Sequence, residues 1–498
     1  MKLPMEGIPP HWSLYVSTQD VDATAKTAVA AGGPGLPTPA AESVTPVLSL
    51  ARFFSLGRRA SARVAWEMNR RCFCSALLAL SACATTASDS RPTADVADAH
   101  PHSDATAVVP HPDHSPAASK PAPAQDFASA NNAFGFELWR AARRPGNLAI
   151  APASLSLALG MTWAGARGET AQQMSTVLHM QDVPVMAASM GEQLATWNDP
   201  SHGAYQLAVV DRLFGEQTAT FEPEFLTLMK DRFGAPLEPV DFINASGAAR
   251  GRINGWVEDQ TSDRIVDLLP SGSIDGDTRL VLANAVYFKG DWQRAFERKD
   301  TRKGKFFVDG QTTKTAKLMR QVSQFAYAST DTLQIVELPY AGEHLAMDLV
   351  LPKQRDGLDA LEQLLDADAF AALVGALQPT MVEVTVPKFK LEMPDSLALK
   401  DALRELGMPL AFEGAADFSG ISKTIRPLRI SDVFHKTFVA VDEKGTEAAA
   451  ATAVVMTNES ATIEPKGIEF RADHPFLFVL RDTRSGTVLF IGRVASPT

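Results

Sequence analysis

Cysteine is almost missing from this chain. Only Cys72, Cys74 and Cys83 occur, all within twelve residues of a 498-residue sequence. That distribution excludes a disulfide-stapled fold, a cysteine-ligated metal centre and a cysteine nucleophile everywhere else. Basic charge is also short. Against 58 Asp and Glu stand 47 Lys and Arg, for a net charge of −11, which is the wrong sign for a nucleic-acid surface. No run reaches the roughly 18 consecutive apolar residues of a membrane-spanning helix. There is no Gly-Lys-Ser/Thr loop, no Gly-x-Ser-x-Gly elbow and no His-Glu-x-x-His. Paired carboxylates abound, but none stands out in an apolar context. We therefore expect no catalytic residue, no metal centre, no cofactor and no nucleic-acid partner.

The three cysteines lie in Met68-Asn-Arg-Arg-Cys-Phe-Cys-Ser-Ala-Leu-Leu-Ala-Leu-Ser-Ala-Cys83. A short basic stretch, an apolar stretch and small residues before a terminal cysteine are the layout of a secretory signal. Leu80-Ser81-Ala82-Cys83 resembles the bacterial lipobox, whose cysteine is lipidated and becomes the mature N-terminus. Such a signal works at about 15–30 residues from the start, and counted from Met1 this one lies too deep. The expectation is a start at Met68, a signal over 68–82, and a misassigned or disordered extension over 1–67. Residues 83–125 read as a lipidated Cys83 followed by an Ala, Pro and His tether with too little apolar surface to offset its ordering entropy. Four of the ten histidines, His100, His102, His111 and His114, fall there. Nothing in that tract fixes a coordination geometry, so a solvated tail is preferred to a metal site.

From Asp126 to Thr498 the patterning is regular. Phe127, Ala130, Phe134 and Leu138 recur at helical spacing. Ala153–Ala166 is apolar on nearly every side, as in a buried helix. Gly168 breaks it, and Glu169 starts another. Tyr205–Phe214 reads as a strand. Ile253, Trp256, Val257 and Ile265 are expected on one face of a helix ending at Pro270. Leu280–Phe288 is apolar on both faces, so it belongs mid-sheet. Val382, Val384 and Val386 alternate with Glu383 and Thr385. Helices dominate before about residue 270 and strands after it, an α+β pattern with antiparallel sheets in one large domain.

One tract resists local assignment. Glu447–Ala451 is an excellent helix former, whereas Thr452, Val454, Val455 and Thr457 are β-branched and favour a strand. From Ala448 to Asn458 there is no charge, proline or glycine. Propensity leaves helix and strand evenly matched.

Glu443-Lys-Gly-Thr-Glu-Ala-Ala-Ala-Ala-Thr452 resembles the reactive-loop hinge of inhibitory serpins. Asn147–Ser156 and Gly165–Gln173 are similar to that family's early helices. Ile253–Thr261 and Ile265–Leu269 resemble its long helix across the main sheet. Leu282–Trp292 resembles its central third strand, and Phe470–Phe478 and Gly486–Val494 its closing strands. The likeness runs from about 128 to 495 in the family order. It implies eight to nine helices, three β-sheets and an exposed reactive loop over 126–498. It also implies a suicide substrate, in which a serine protease cuts the loop and the loop then inserts into the large sheet with the acylated protease attached. Glu443, Gly445, Thr446, Glu447, Ala448, Ala449, Ala450, Ala451 and Thr452 would form the hinge, with Thr446, Ala448, Ala450, Thr452, Val454, Met456 and Asn458 on one face.

Sixteen positions beyond the hinge Glu443, the family count puts the cut between Glu459 and Ser460, with Asn458 and Met456 as neighbouring candidates. A cut after glutamate implies a glutamate-preferring protease. Ser154, Asn284 and His435 match the family's buried polar cluster, and are better read as satisfied core groups than as a catalytic set. Trp292 matches the tryptophan where the loop first enters. Ala151 departs from the family's usual serine, which removes one hydrogen-bonding group. The implied protein is a monomeric bacterial inhibitor in the cell envelope or outside the cell. It meets a membrane only through Cys83, with Ala84 pointing to outer-membrane sorting. The alternative is a non-inhibitory serpin acting as a binding or chaperone protein.

Overall fold

A computed structural model describes residues 126–199, 205–309, 311–342, 344–446 and 467–497. The expected signal, tether and upstream extension, Cys83 included, lie outside the described residues. So do hinge positions Glu447 to Thr452 and the Glu459–Ser460 bond.

Nine α-helices occur among the described residues: α1 Phe127–Ala141, α2 Pro152–Ala164, α3 Gly168–Leu178, α4 Val183–Trp197, α5 Pro223–Phe233, α6 Phe242–Gln260, α7 Leu358–Leu364, α8 Ala367–Gly375 and α9 Lys400–Leu406. The predicted apolar set of α1 is its buried stripe, and Asp126 caps it by accepting from the Ser129 N–H. In α2 Pro152 takes the first turn, where a missing N–H costs nothing, and twelve of its thirteen residues are buried.

The strands are β1 Leu148–Ile150, β2 Tyr205–Glu216, β3 Leu237–Val240, β4 Leu280–Asp291, β5 Arg302–Phe307, β6 Thr313–Ser329, β7 Leu333–Pro339, β8 Leu345–Pro352, β9 Gln378–Pro387, β10 Phe389–Glu392, β11 Leu397–Ala398, β12 Phe434–His435, β13 Phe438–Val441, β14 Gly445–Thr446, β15 Ile468–Arg471, β16 Phe476–Asp482 and β17 Val488–Val494. They form three sheets, as expected. A nine-stranded sheet runs β1-β17-β16-β8-β7-β6-β9-β15, with β5 on β6. A six-stranded sheet runs β10-β13-β14-β4-β2-β3, and β11 pairs with β12. Two pairings, β2 with β3 and β9 with β15, are parallel, a departure from the all-antiparallel expectation.

The six-stranded sheet is packed on both faces. Leu207, Val209 and Leu213 of β2 join the main core with α2 and α4. Phe214, Ala283 and Ala285 face Ile253, Trp256 and Val257 of α6 in a second cluster. This two-sided burial explains why the run of β4 is apolar on both faces, with Asn284 its one strongly polar residue between Leu280 and Phe288. The expected helix ending at Pro270 needs correction: α6 stops at Gln260, and Ser262 and Asp263 have positive φ. Asn254 then holds the following segment, accepting from the Leu269 N–H at 2.8 Å and donating to the Leu269 carbonyl at 3.0 Å. Ile265 is therefore buried with the predicted α6 residues, but from a loop.

Candidate functional site

Where β13 turns back into β14, three consecutive carbonyls are taken by the segment leaving β4. The Trp292 indole N–H donates to Asp442 at 3.0 Å, the Phe296 N–H to Glu443 at 2.8 Å and the Trp292 N–H to Lys444 at 2.7 Å. Residue 445 must be glycine. It pairs with Asp291 across the ladder, and a Cβ there would lie 1.9 Å from the Gly290 carbonyl oxygen. Thr446 follows, buried, opposite Gly290 on one side and Val441 on the other. β14 is thus antiparallel to both neighbours, and it is the strand between β13 and β4 among the described residues.

Thr446 faces inward onto a tyrosine that the sequence patterns did not flag. The Tyr340 and Thr446 hydroxyls are 2.5 Å apart. Tyr340 stacks on Trp292 at 4.4 Å between centroids and meets Phe288 edge-on at 4.9 Å. Burial pushes the Tyr340 phenol well above its ordinary value, so it stays neutral. Glu443 anchors the turn. Its carboxylate pairs with the Lys388 ammonium at 2.6 Å and accepts from the Thr301 hydroxyl at 3.0 Å. Burial pushes this carboxyl up, but the hydrogen bonds it receives, Lys388's foremost, outweigh that and hold it below the usual range.

Deeper along β4 lies the second group of predicted residues. The Ser154 hydroxyl donates to the Asn284 side-chain oxygen, and the Asn284 amide donates to Asp211 at 2.7 Å. His435 Nε2 accepts the Ala151 N–H at 3.0 Å, which puts the ring proton on Nδ1. Burial lowers the His435 pKa to about 4, so the ring is neutral. Burial raises that of Asp211 to about 7, against the opposing Asn284 hydrogen bond. Ser154, Asn284, His435 and Ala151 line one cavity of about 160 Å³. The Ser154 proton goes to an amide, and the lone pair of His435 to a backbone N–H. That arrangement lacks the nucleophile–base bond of a catalytic pair. Ala151 does forgo a side-chain bond, yet its backbone still reaches His435.

Trp292, Gly445, Thr446 and Glu443 therefore meet at one mouth, and Ser154, Asn284 and His435 at one floor. Tyr340, Lys388 and Asp211 were missed. Only Asp211 left a signal: at the inward positions Leu207, Val209, Asp211 and Leu213 it breaks an apolar alternation.

A family model described as Serpin (serine protease inhibitor) matches residues 129–497. Human Serpin B3 is 39% identical over 391 residues, covering 74% of this chain and 99% of that protein. Human leukocyte elastase inhibitor is 40% identical over 385 residues, covering 75% and 100%. Among solved structures, uncleaved ovalbumin matches with a TM-score of 0.66 at 29% identity, over 75% of this chain and 100% of that one. A loop-inserted, cleaved ovalbumin mutant matches with a TM-score of 0.67 at 28% identity and the same coverage.

Proposed function

The chain belongs to the serpin family, and from that premise we propose that it inhibits a serine endopeptidase as a suicide substrate. The observation that carries this is the seat of Thr446 between β13 and β4. Stepping two residues at a time from the Thr446–Gly290 and Thr446–Val441 pairs, the same register puts Ala448 between Phe288 and Val439. It puts Ala450 between Val286 and Thr437, and Thr452 between Asn284 and His435. Small side chains then pass Phe288 and Val286, and a threonine hydroxyl arrives at the polar floor. No charge or proline stands on that face to forfeit ladder bonds or strand a buried group.

In the proposed reaction the protease serine attacks the Glu459 carbonyl. The amide to Ser460 breaks, the Ser460 amine leaves with a proton from the protease, and Glu459 stays as an ester. Insertion from Thr446 onward then carries the ester along the sheet. At about 3.4 Å per residue, the thirteen residues from Thr446 to Asn458 span about 40 Å. In that register Glu459 passes beyond Leu280, the first residue of β4, and needs no burial. A glutamate-preferring protease is the proposed partner. We also propose lipidation at Cys83, after a start at Met68, as the tether to a bacterial cell envelope; palmitate labelling lost in Cys83→Ser would support it, and equal labelling would refute it.

Incubation with a panel of serine proteases tests the inhibitory reading. We expect a denaturant-resistant covalent complex with a glutamate-preferring enzyme, and a released fragment that begins at Ser460 by mass spectrometry. Glu459→Arg should transfer inhibition to a trypsin-like protease. Cleavage in the loop with no complex and no gain in stability would favour the binding or chaperone alternative.

A further inference from the structure

For a strand to pass between β13 and β4, the six-stranded sheet must part, so what fastens β4 to the helix beneath it sets how readily it parts. Beside the apolar packing, one polar line crosses that contact: Ser154 of α2 donates to Asn284 of β4, and Asn284 donates to Asp211, its register partner on β2. Its last member is anomalous. Asp211 is 5% exposed, and its second carboxylate oxygen is buried with no hydrogen-bond partner among the described residues. Its neighbour Arg212 pairs with Glu238 at 2.7 Å. The buried side chains of α4, Met186, Ala187, Met190, Leu194 and Trp197, are uncharged, as are Ser154 of α2 and His435 of β12, whose ring burial keeps neutral. Among the described residues, no Lys, Arg, Asp or Glu acts on Asp211, and burial is the dominant cause of its raised pKa of about 7.

Within the inhibitory reading, we propose that Asp211 is a positioning residue whose ionisation gates the opening of the six-stranded sheet. Protonated, it is a neutral group at rest in the core. Ionised, it is a charge held by one hydrogen bond, and parting the sheet relieves it by admitting water or a donor. In the opened sheet the carboxyl moves toward an ordinary value near 4. Opening therefore slows as pH falls from about 7 toward 4, and levels off above 7.

The test uses the full chain and an acetylated, amidated peptide with the sequence of residues 446–458. No protease is present, so no protease titration intrudes. Peptide uptake is followed by a fluorescein label on the peptide, which co-migrates with the protein once bound, from pH 5.5 to 8. The expected wild-type rate rises on the order of tenfold toward pH 7.5 and then flattens; Asp211→Asn and Asp211→Ser should both give flat profiles. A wild-type slope that survives in either variant overturns the gate and leaves the insertion reading standing. Failure of the wild type to take up peptide at any pH overturns the insertion reading and the gate with it. Should neither variant fold, infrared titration of the wild type decides. A protonated-carboxyl band lost near pH 7, above the buried Asp348 carboxyl that burial raises to about 6, supports the gate, and absence of such a band overturns it.

Discussion

Thr446 sits where two requirements meet. Its side chain is buried, and its hydroxyl is matched to Tyr340 at 2.5 Å; its backbone is the first to lie between β13 and β4. Among the described residues the pocket that Thr446 lines is otherwise apolar, walled by Phe288, Met347, Val439 and Leu480, so a guanidinium there meets no carboxylate from those walls. Leaving a charge unpaired in a buried site costs several kcal/mol, so Thr446→Arg should hold the hinge out of the sheet. Inhibition is a race between insertion and hydrolysis of the acyl-enzyme, and the delay favours hydrolysis. The stoichiometry of inhibition should climb severalfold, with the loop still cut at the same bond. A stoichiometry that stays near that of the wild type would remove Thr446 from the hinge. Gly445 is constrained for a different reason, since the Gly290 carbonyl leaves no room for a Cβ.

At the scale of elements, the loop joins two sheets. It leaves β14 in the six-stranded sheet and returns as β15 at the edge of the nine-stranded one. An uncut loop is therefore tied at both ends, and insertion beyond Thr446 is opposed by whatever holds β15 to β9. That hold is short: four residues in parallel register, Ile468–Arg471 against Val382–Thr385. Just before it, a Cβ on Gly467 would lie 2.7 Å from the Glu383 nitrogen and 2.8 Å from the Val382 carbonyl carbon. Those are backbone atoms, which cannot turn aside. Gly467→Ala should thus push β15 outward at a cost of about 1–3 kcal/mol. The uncut variant should lose inhibitory activity several times faster on standing at 37 °C while remaining folded by circular dichroism. Equal decay rates would show that β15 does not restrain the loop.

For the whole molecule, the proposal makes the native state metastable. β4 is twelve residues long, so a strand laid along it adds about a dozen ladder bonds. At about 0.5–1.5 kcal/mol net each, that is on the order of 10 kcal/mol. The matched body of residues 129–497 unfolds with an entropy of about 0.8 kcal/mol per degree, taking roughly 2.1 cal/mol/K per residue. Cleavage in the loop should raise Tm by about 10 °C or more, read by calorimetry on intact and nicked protein. An unchanged Tm would mean that the loop does not enter the sheet.

Features that depend on near neighbours and on period can be read along the chain. The stripe of α1, the all-round burial of α2 and the two-sided apolar run of β4 were legible because helix and strand periods are local. The small, uncharged hinge composition was legible for the same reason, and the family likeness supplied its meaning. Asp211 breaks the inward alternation of β2, but its bond to Asn284 of β4 has no local pattern. Features that depend on distant pairing appear only once the strands are assembled. Thr446 meets Tyr340 across 106 residues, and Lys388 meets Glu443 across 55. Neither bond has a local pattern, because the strands that bring the partners together are ordered by the sheet and not by the chain. Ile265 shows the limit from the other side: its period was helical, but positive φ at Ser262 and Asp263 turned the chain. The Asn254 clamp then buried Ile265 from a loop, because the core under the sheet required an apolar side chain there and not a further turn of helix.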